Sequence, residues 1–244
     1  MKKMLSLMLA ASLFCFASCK EGDETPEIKV PASLEMKVGE SYDLKVTGEW
    51  VSTNESVATV TTAGVISAKV QGEANIHNNS DLSCNVTVIP SYTLYAEPLM
   101  DWGITVDNLK SKKGTPDAEE EDEEEVMLTY MVESNVIFSE MYMFEEDVLT
   151  ASAVILNSEF TDEMAAHLGQ RYLVVSVDSE TYTMIFVDTK EETMVYAQLY
   201  ADEEESAPYW IVSYMPLLEE DLARSAADCK KISDKFAKQY RALR

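Results

Sequence analysis

Side chains able to attack, coordinate or shuttle protons are scarce in this sequence, which has 4 cysteines and 2 histidines in 244 residues. Nucleophilic or zinc chemistry needs such groups brought together at characteristic spacings. Cys15, Cys19, Cys84 and Cys229 are scattered, and His77 and His167 stand in different parts of the chain. No glycine-rich loop suits a phosphate. No catalytic residue, cofactor site or metal site is therefore expected. His77, beside Asn78 and Asn79, reads as a loop residue, and His167 as a surface or edge residue on a helix flank. The 44 acidic residues are densest at 117–125, broken only by Ala118, and again at 202–205. Calcium requires oxygens that converge through alternating acids and a glycine turn, a spacing both runs lack. Residues 117–125 are expected to form a disordered, solvated loop, because like charges in sequence repel one another.

One cysteine stands out by what precedes it. Lys2 and Lys3 lead into an apolar run over 4–16, interrupted only by Ser6 and Ser12, and small residues Ala17 and Ser18 follow. The run is shorter than the roughly 20 apolar residues of a membrane span and has the length of a signal-peptide core. Phe16-Ala17-Ser18-Cys19 resembles the lipobox of bacterial lipoproteins. The resemblance implies that 1–18 is a lipoprotein signal peptide and that Cys19 is the lipidation site. Several acyl chains on Cys19 would then anchor the protein to a membrane, since each buried CH₂ contributes about 0.8 kcal/mol. The alternative is a plain secretory signal cut near Ala17. Residues 19–27 form an acidic tether that resembles the export signal of surface lipoproteins in some Gram-negative bacteria, or else a polar spacer. Lys20 stands where enteric lipoproteins retained in the inner membrane carry Asp. The expected location is the cell outer membrane, lipid-anchored and surface-exposed.

Composition sets further bounds. The chain is 46% hydrophobic and 26% charged, which is a globular balance with room for two modest domains. Its formal net charge of −25 repels phosphate backbones and excludes nucleic acid as a natural partner. Cys84 and Cys229 fall in different expected domains, so no disulfide framework is expected.

Residues 28–89 read as strands throughout. Leu34, Met36 and Val38 alternate, as do Tyr42, Leu44 and Val46, and Cys84, Val86 and Val88 share one phase. Gly, Asn, Ser and Thr punctuate the strands at short intervals, the pattern of a β-sandwich. The stretch from Trp50 through Val60, then Gly64-Val65-Ile66, Gly72 to Ile76 and Cys84 to Val88, resembles the bacterial immunoglobulin-like domain, group 2. The expected core is Trp50, Val57, Val60, Ile76, Val86 and Val88, with Cys84 beside them.

Residues 90–100 read as a linker, and 101–244 as an α+β domain. Thr105 is a good N-cap for a short helix ended by Gly114-Thr115-Pro116. Three strands, a helix capped by Thr161 and running to about Arg171, and three or four more strands follow, which suggests an internal duplication. This order is similar to the tandem α/β repeats of β-lactamase inhibitor proteins and of small envelope lipoproteins. At 217–244, Leu218, Leu222, Ala226, Cys229, Ile232, Phe236 and Tyr240 recur at helical spacing, predicting an amphipathic helix. That helix is expected to dock on the sheet or, alternatively, on a partner.

The fold class is thus mainly β with α+β: an N-terminal immunoglobulin-like sandwich, then an antiparallel sheet with two short helices and a C-terminal amphipathic helix. The expected function is a noncatalytic binding or adhesion module in the cell envelope, with a protein or glycan partner. The alternatives are an envelope assembly or inhibitor-like protein that grips another protein through its sheet and, remotely, a hydrolase.

Overall fold

The computed structural model describes residues 29–122, 124–201, 207–217 and 222–243, with side chains in the last stretch from 227 onward. The fold is mainly β, with three helices among the described residues. Cys19, the tether and the acids at 202–205 lie outside the described residues.

Seven short strands build the first unit: β1 (Ser33–Lys37), β2 (Ser41–Asp43), β3 (Trp50–Ser52), β4 (Ala58–Val60), β5 (Val65–Ala68), β6 (Gly72–Asn78) and β7 (Ser83–Ile89). They form a four-stranded sheet in the order β1-β7-β6-β3 and a three-stranded sheet in the order β2-β5-β4. Alternation decides the facing. In β7, Cys84, Val86 and Val88 are buried while Ser83, Asn85 and Thr87 are exposed. These side chains join Met36, Trp50, Val57, Ile66 and Ile76 in one core between the sheets. The Trp50 indole N–H donates to the Val46 carbonyl at 2.9 Å, so its polar atom is satisfied beside that core. His77 is not in a loop: it pairs opposite Ser83 within β6, where Ala74 and Ile76 claim the inward phase.

The second unit runs α1 (Val106–Lys113), β8 (Ala118–Glu121), β9 (Glu125–Met131), β10 (Ile137–Glu145), β11 (Val148–Asn157), a 3-10 turn (Ser158–Phe160), α2 (Thr161–Gly169), β12 (Leu173–Asp178), β13 (Thr183–Val187), β14 (Thr193–Tyr200), β15 (Tyr209–Pro216) and α3 (Leu222–Leu243). All eight strands join one antiparallel sheet in the order β12-β13-β14-β15-β11-β10-β9-β8. A helix followed by a four-stranded meander therefore occurs twice. The fourth strand of each repeat, β11 or β15, meets the other at the centre, where Val154 opposes Val212. The first strand of each repeat, β8 or β12, lies at an outer edge.

The duplication was legible except for one strand, and that strand lies in the acid run. Residues 118–121 are not disordered: Ala118 to Glu121 pair with Thr129 to Val126. The Asp122 carboxylate accepts from the backbone N–H groups of Glu124 and Glu125, both at 2.9 Å, and turns the hairpin. An edge strand keeps its side chains in water, and Lys110 pairs with Glu119 at 2.7 Å, so the charges are tolerated. Lys235 of α3 pairs with Glu125 next in the hairpin.

The sheet has a covering layer on each face. One face carries α1, α2 and the chain leading into them, packed on Leu128, Tyr142, Phe144, Val154, Val212 and Tyr214. The other carries α3, whose Cys229, Phe236, Ala237 and Tyr240 pack on Met141, Ala153, Met194, Tyr209 and Ile211. Small Ala151 and Ala153 on β11 let the helix approach closely.

Residues 90–100 do not behave as a linker. Tyr95 is buried, and Leu94, Leu99 and Met100 pack against the second unit's core, because the apolar side chains of this stretch find the helix-covered face of the sheet. The segment is a strap belonging to the second unit. The two units also touch directly. Gln71 N–H donates to the Gln170 carbonyl at 2.9 Å, and the Thr189 hydroxyl donates to the Gln71 carbonyl at 3.2 Å. Gly72 sits at this joint with φ +149, and a Cβ there would lie 2.6 Å from Thr189 Oγ1 and 2.7 Å from Val57 Cγ2. Only glycine fits both the backbone conformation and the space.

Candidate functional site

A buried group of titratable side chains lies where the strap crosses the end of α2. Thr161 is the first residue of this helix and not its cap, because its hydroxyl is engaged elsewhere: it donates to Ser158 O at 2.7 Å and accepts from the Trp210 indole at 2.8 Å. It buries Met164, His167 and Leu168 on one face, at helical spacing. Just past its end come Gln170, Arg171 and Tyr172. Four of these residues grip the strap in turn. Gln170 Oε1 accepts from the N–H and hydroxyl of Ser91 and from the N–H of Tyr92, at 2.8, 3.1 and 3.1 Å. Arg171 donates to Tyr92 O at 3.0 Å and to the Thr93 hydroxyl at 2.7 Å. His167 Nδ1 accepts from Leu94 N–H at 3.1 Å, and its ring stacks on Tyr95 at 4.2 Å between centroids. The Tyr172 hydroxyl donates to Glu97 Oε1 at 2.8 Å.

His167 is thus no surface residue. It is fully buried, because the strap closes over the helix flank that looks open in sequence. Since Nδ1 accepts a hydrogen bond, the neutral ring carries its proton on Nε2. That atom has no hydrogen-bond partner and faces Glu97 Oε1 at 4.0 Å, with Arg171 Nε also 4.0 Å from the same oxygen. Burial, helped by the Arg171 charge, holds the His167 pKa down at about 3. Burial raises the Glu97 carboxyl above its ordinary value, against the Tyr172 hydrogen bond and the Arg171 charge. Tyr95, Tyr172 and Tyr214 are all pushed up, chiefly by burial, and the Tyr95 and Tyr214 hydroxyls share a 2.8 Å hydrogen bond.

The strap's far end is held by the first repeat. The Tyr142 hydroxyl accepts from Leu99 N–H at 3.3 Å and donates to Glu140. Lys113 Nζ lies 2.5 Å from Glu140 and over the Tyr130 and Tyr142 rings, 5.4 and 5.3 Å from their centroids. A shallow open depression of about 350 Å³ lies nearby, lined by Lys110, Gly114, Thr115, Pro116, Asp117, Ala118 and Glu119. Its chemistry is an ion pair and a turn.

Chemically, these groups hold protons in place. The histidine and tyrosines are neutral, and each is tied to the strap, the sheet or the other's ring. The remaining sequence candidates lie apart. Cys84 is buried in the first unit's core with its thiol pKa raised by burial. Cys229 is buried under α3, 3.2 Å from Met194 Sδ, its thiol pushed up to about 12 by burial and Asp228. Among the described residues no group of three or more His, Cys, Asp or Glu could hold a metal ion. No helix among them is long and apolar enough to cross a membrane. Sequence reasoning missed the Glu97–His167–Arg171 cluster because Glu97 is far from the other two in the chain. The one local signal was the i, i+4 pair of His167 and Arg171.

No protein-family model matches this chain, and no curated protein matches it.

Proposed function

We propose that this chain is a lipid-anchored outer-membrane protein, held by acyl groups on Cys19, that acts as a noncatalytic binding or adhesion module facing outward. The observation that carries the noncatalytic part is the strap clamp. The place where a histidine, a carboxylate and a guanidinium converge among the described residues is occupied in fastening the chain to itself. The two small sheets closed on one core, with Trp50 satisfied at its rim, support a group 2 bacterial immunoglobulin-like sandwich as the spacer. The lipobox supports the anchor.

A second reading is favoured by the duplicated helix and meander. A repeated sheet of this kind is suited to gripping another protein, as an envelope assembly factor or inhibitor would.

The test uses the full chain in a Gram-negative host. Metabolic labelling with a fatty acid should mark the wild type and not Cys19→Ala, and protease added to intact cells should cleave the wild type. Label retained on Cys19→Ala, or protection from protease, would overturn the location. Arrayed glycans and peptides should retain the protein without being altered; turnover of any of them would overturn the noncatalytic reading.

A further inference from the structure

The two outer hairpins of the large sheet are equivalent in topology and opposite in chemistry on the face that carries α1, α2 and the strap. In the first repeat, Glu119 and Glu121 of β8 stand on that face opposite Leu128 and Val126, and Lys110 of α1 pairs with Glu119. In the second repeat the same face of β12 carries Val174 and Val177, opposite Phe186 and Met184. Phe186 is covered, yet Val174 is 60% exposed and Val177 63%. The layer formed by α2 and the strap therefore runs out over β13. Tyr182, at the turn between the two strands, is 58% exposed and held at φ +50, a left-handed conformation that is costly for a bulky residue.

An apolar sheet face calls for a second layer. β12 and β13 together are about 10 Å wide, roughly the diameter of one helix. The bulge at Val175 interrupts the ladder, so cover comes from above the face and not from a strand added at the edge. Charge sets the sign of that cover. The hairpin tip presents Asp178 and Glu180, and the first turn of α2 presents Asp162 and Glu163, all exposed. Both turns lie at one end of the sheet: Thr161 bonds the Trp210 indole, Trp210 pairs with Leu199, and Leu199 N–H donates to the Tyr182 carbonyl at 3.1 Å. From Ser158 to Gln170 and from Tyr172 to Thr189 the sequence has neither Lys nor Arg. We propose that this face of the β12–β13 hairpin docks an amphipathic helix of another protein, whose apolar stripe meets Val174 and Val177 and whose Lys or Arg flanks meet these acids. The inference names a face and a partner class for the binding reading above, and rests on that reading. A second copy of this chain is the wrong occupant. At a formal charge of −25 it brings acids to acids, and its basic helix α3 has its apolar face buried on its own sheet.

Fluorescence anisotropy tests this with the full chain held in nanodiscs of zwitterionic phosphatidylcholine, empty discs being subtracted. The probes are labelled peptides of about 18 residues, long enough as a helix to cross the hairpin. One has leucines at helical spacing and lysines elsewhere; three controls exchange lysine for glutamate, scramble the order, or insert prolines. Only the first should bind in the micromolar range, and hydrogen exchange should then slow in β12 and β13. Val174→Thr with Val177→Thr keeps strand shape and charge, and should weaken binding by roughly tenfold through the buried hydroxyls, with the melting temperature unchanged. Asp178→Asn, whose amide oxygen still accepts from Glu180 and Thr181 N–H, together with Glu180→Gln, should weaken binding and flatten its salt dependence. The same charge change on β8, Glu120→Gln with Glu121→Gln, should do neither. Binding indifferent to the threonines, equal binding of any control peptide, equal weakening by the β8 pair, or self-association abolished by the threonines would each overturn the proposal. No binding of the lysine peptide, with glycans or peptides still retained on the arrays, would sink this face and leave the binding module standing.

Discussion

The two halves of the large sheet share one plan and use it differently. In each, a helix precedes a four-stranded meander, and one leucine of the helix is fully buried: Leu109 in α1 and Leu168 in α2. Yet α1 buries only that leucine, and its termini rest on local chemistry, with the Thr105 hydroxyl accepting from Asn108 N–H at 3.3 Å. α2 buries three side chains, and Phe160 at its N-cap makes no side-chain cap. The first half keeps a charged edge strand and a surface-fed ion pair, Lys113 with Glu140. The second half buries His167, Arg171 and Tyr172 beneath the strap. Repeats of one topology can diverge this far because the seam of β11 and β15 fixes register for both, leaving the outer elements free to differ.

The largest expected effect strikes that seam. Val212→Asp places an unpaired carboxylate opposite fully buried Val154, a penalty of several kcal/mol. Circular dichroism should show the second unit unfolded, and hydrogen exchange should show β9–β10 and β13–β14 deprotected together. Protection surviving in one half alone would mean that the repeats fold separately.

Next come the matched leucines. Leu109→Ala and Leu168→Ala should each cost about 2–5 kcal/mol in urea titrations, as buried leucine truncations do. If the strap clamp braces α2, only Leu168→Ala should also expose the 90–100 segment to protease. Equal cleavage in both variants would erase the difference between the halves.

The third test is acid. His167 has a folded pKa of about 3, below its unfolded value, so the unfolded state takes up the proton first. Its contribution to stability is complete above about pH 6.5 and is lost as the pH falls toward 3. Glu97, with its pKa raised, acts in the opposite sense and gains stability on protonation. Melting temperature should therefore fall from neutral pH toward acid in the wild type, and more shallowly in His167→Gln, whose amide oxygen can still accept from Leu94. Identical slopes would remove His167 from the account.

The smallest effect is at the caps. Thr105→Ala should cost about 1 kcal/mol by removing the α1 cap. A loss much larger than that would show that α1 leans on its cap for more than helix termination.

Much of this architecture could be read from residue order. The inward phase of Cys84, Val86 and Val88, the core role of Trp50 and Ile76, and the cap at Thr105 are all local patterns, and the structure shows each of them. The face of α3 that carries Cys229, Phe236 and Tyr240 packs on the sheet as its spacing foretold. The candidate site was not readable. Glu97, His167 and Arg171 each look unremarkable among their sequence neighbours, and only the crossing of strap and helix brings His167 Nε2 and Arg171 Nε to 4.0 Å from Glu97 Oε1.

By itself, then, the order of residues determined what depends on periods of two and of about 3.6: which strands alternate, which helix face is apolar, where a helix starts. Tertiary structure alone decided three things. It made an edge strand from residues 118–121, whose acids would repel in an isolated loop, because β9 supplies the backbone partners and solvent keeps the charges hydrated. It turned an expected linker into a strap, because Tyr95 and Leu99 find apolar cover only once the sheet exists. And it buried His167, because burial is a property of what lies above a helix flank, and here that cover comes from residues far earlier in the chain.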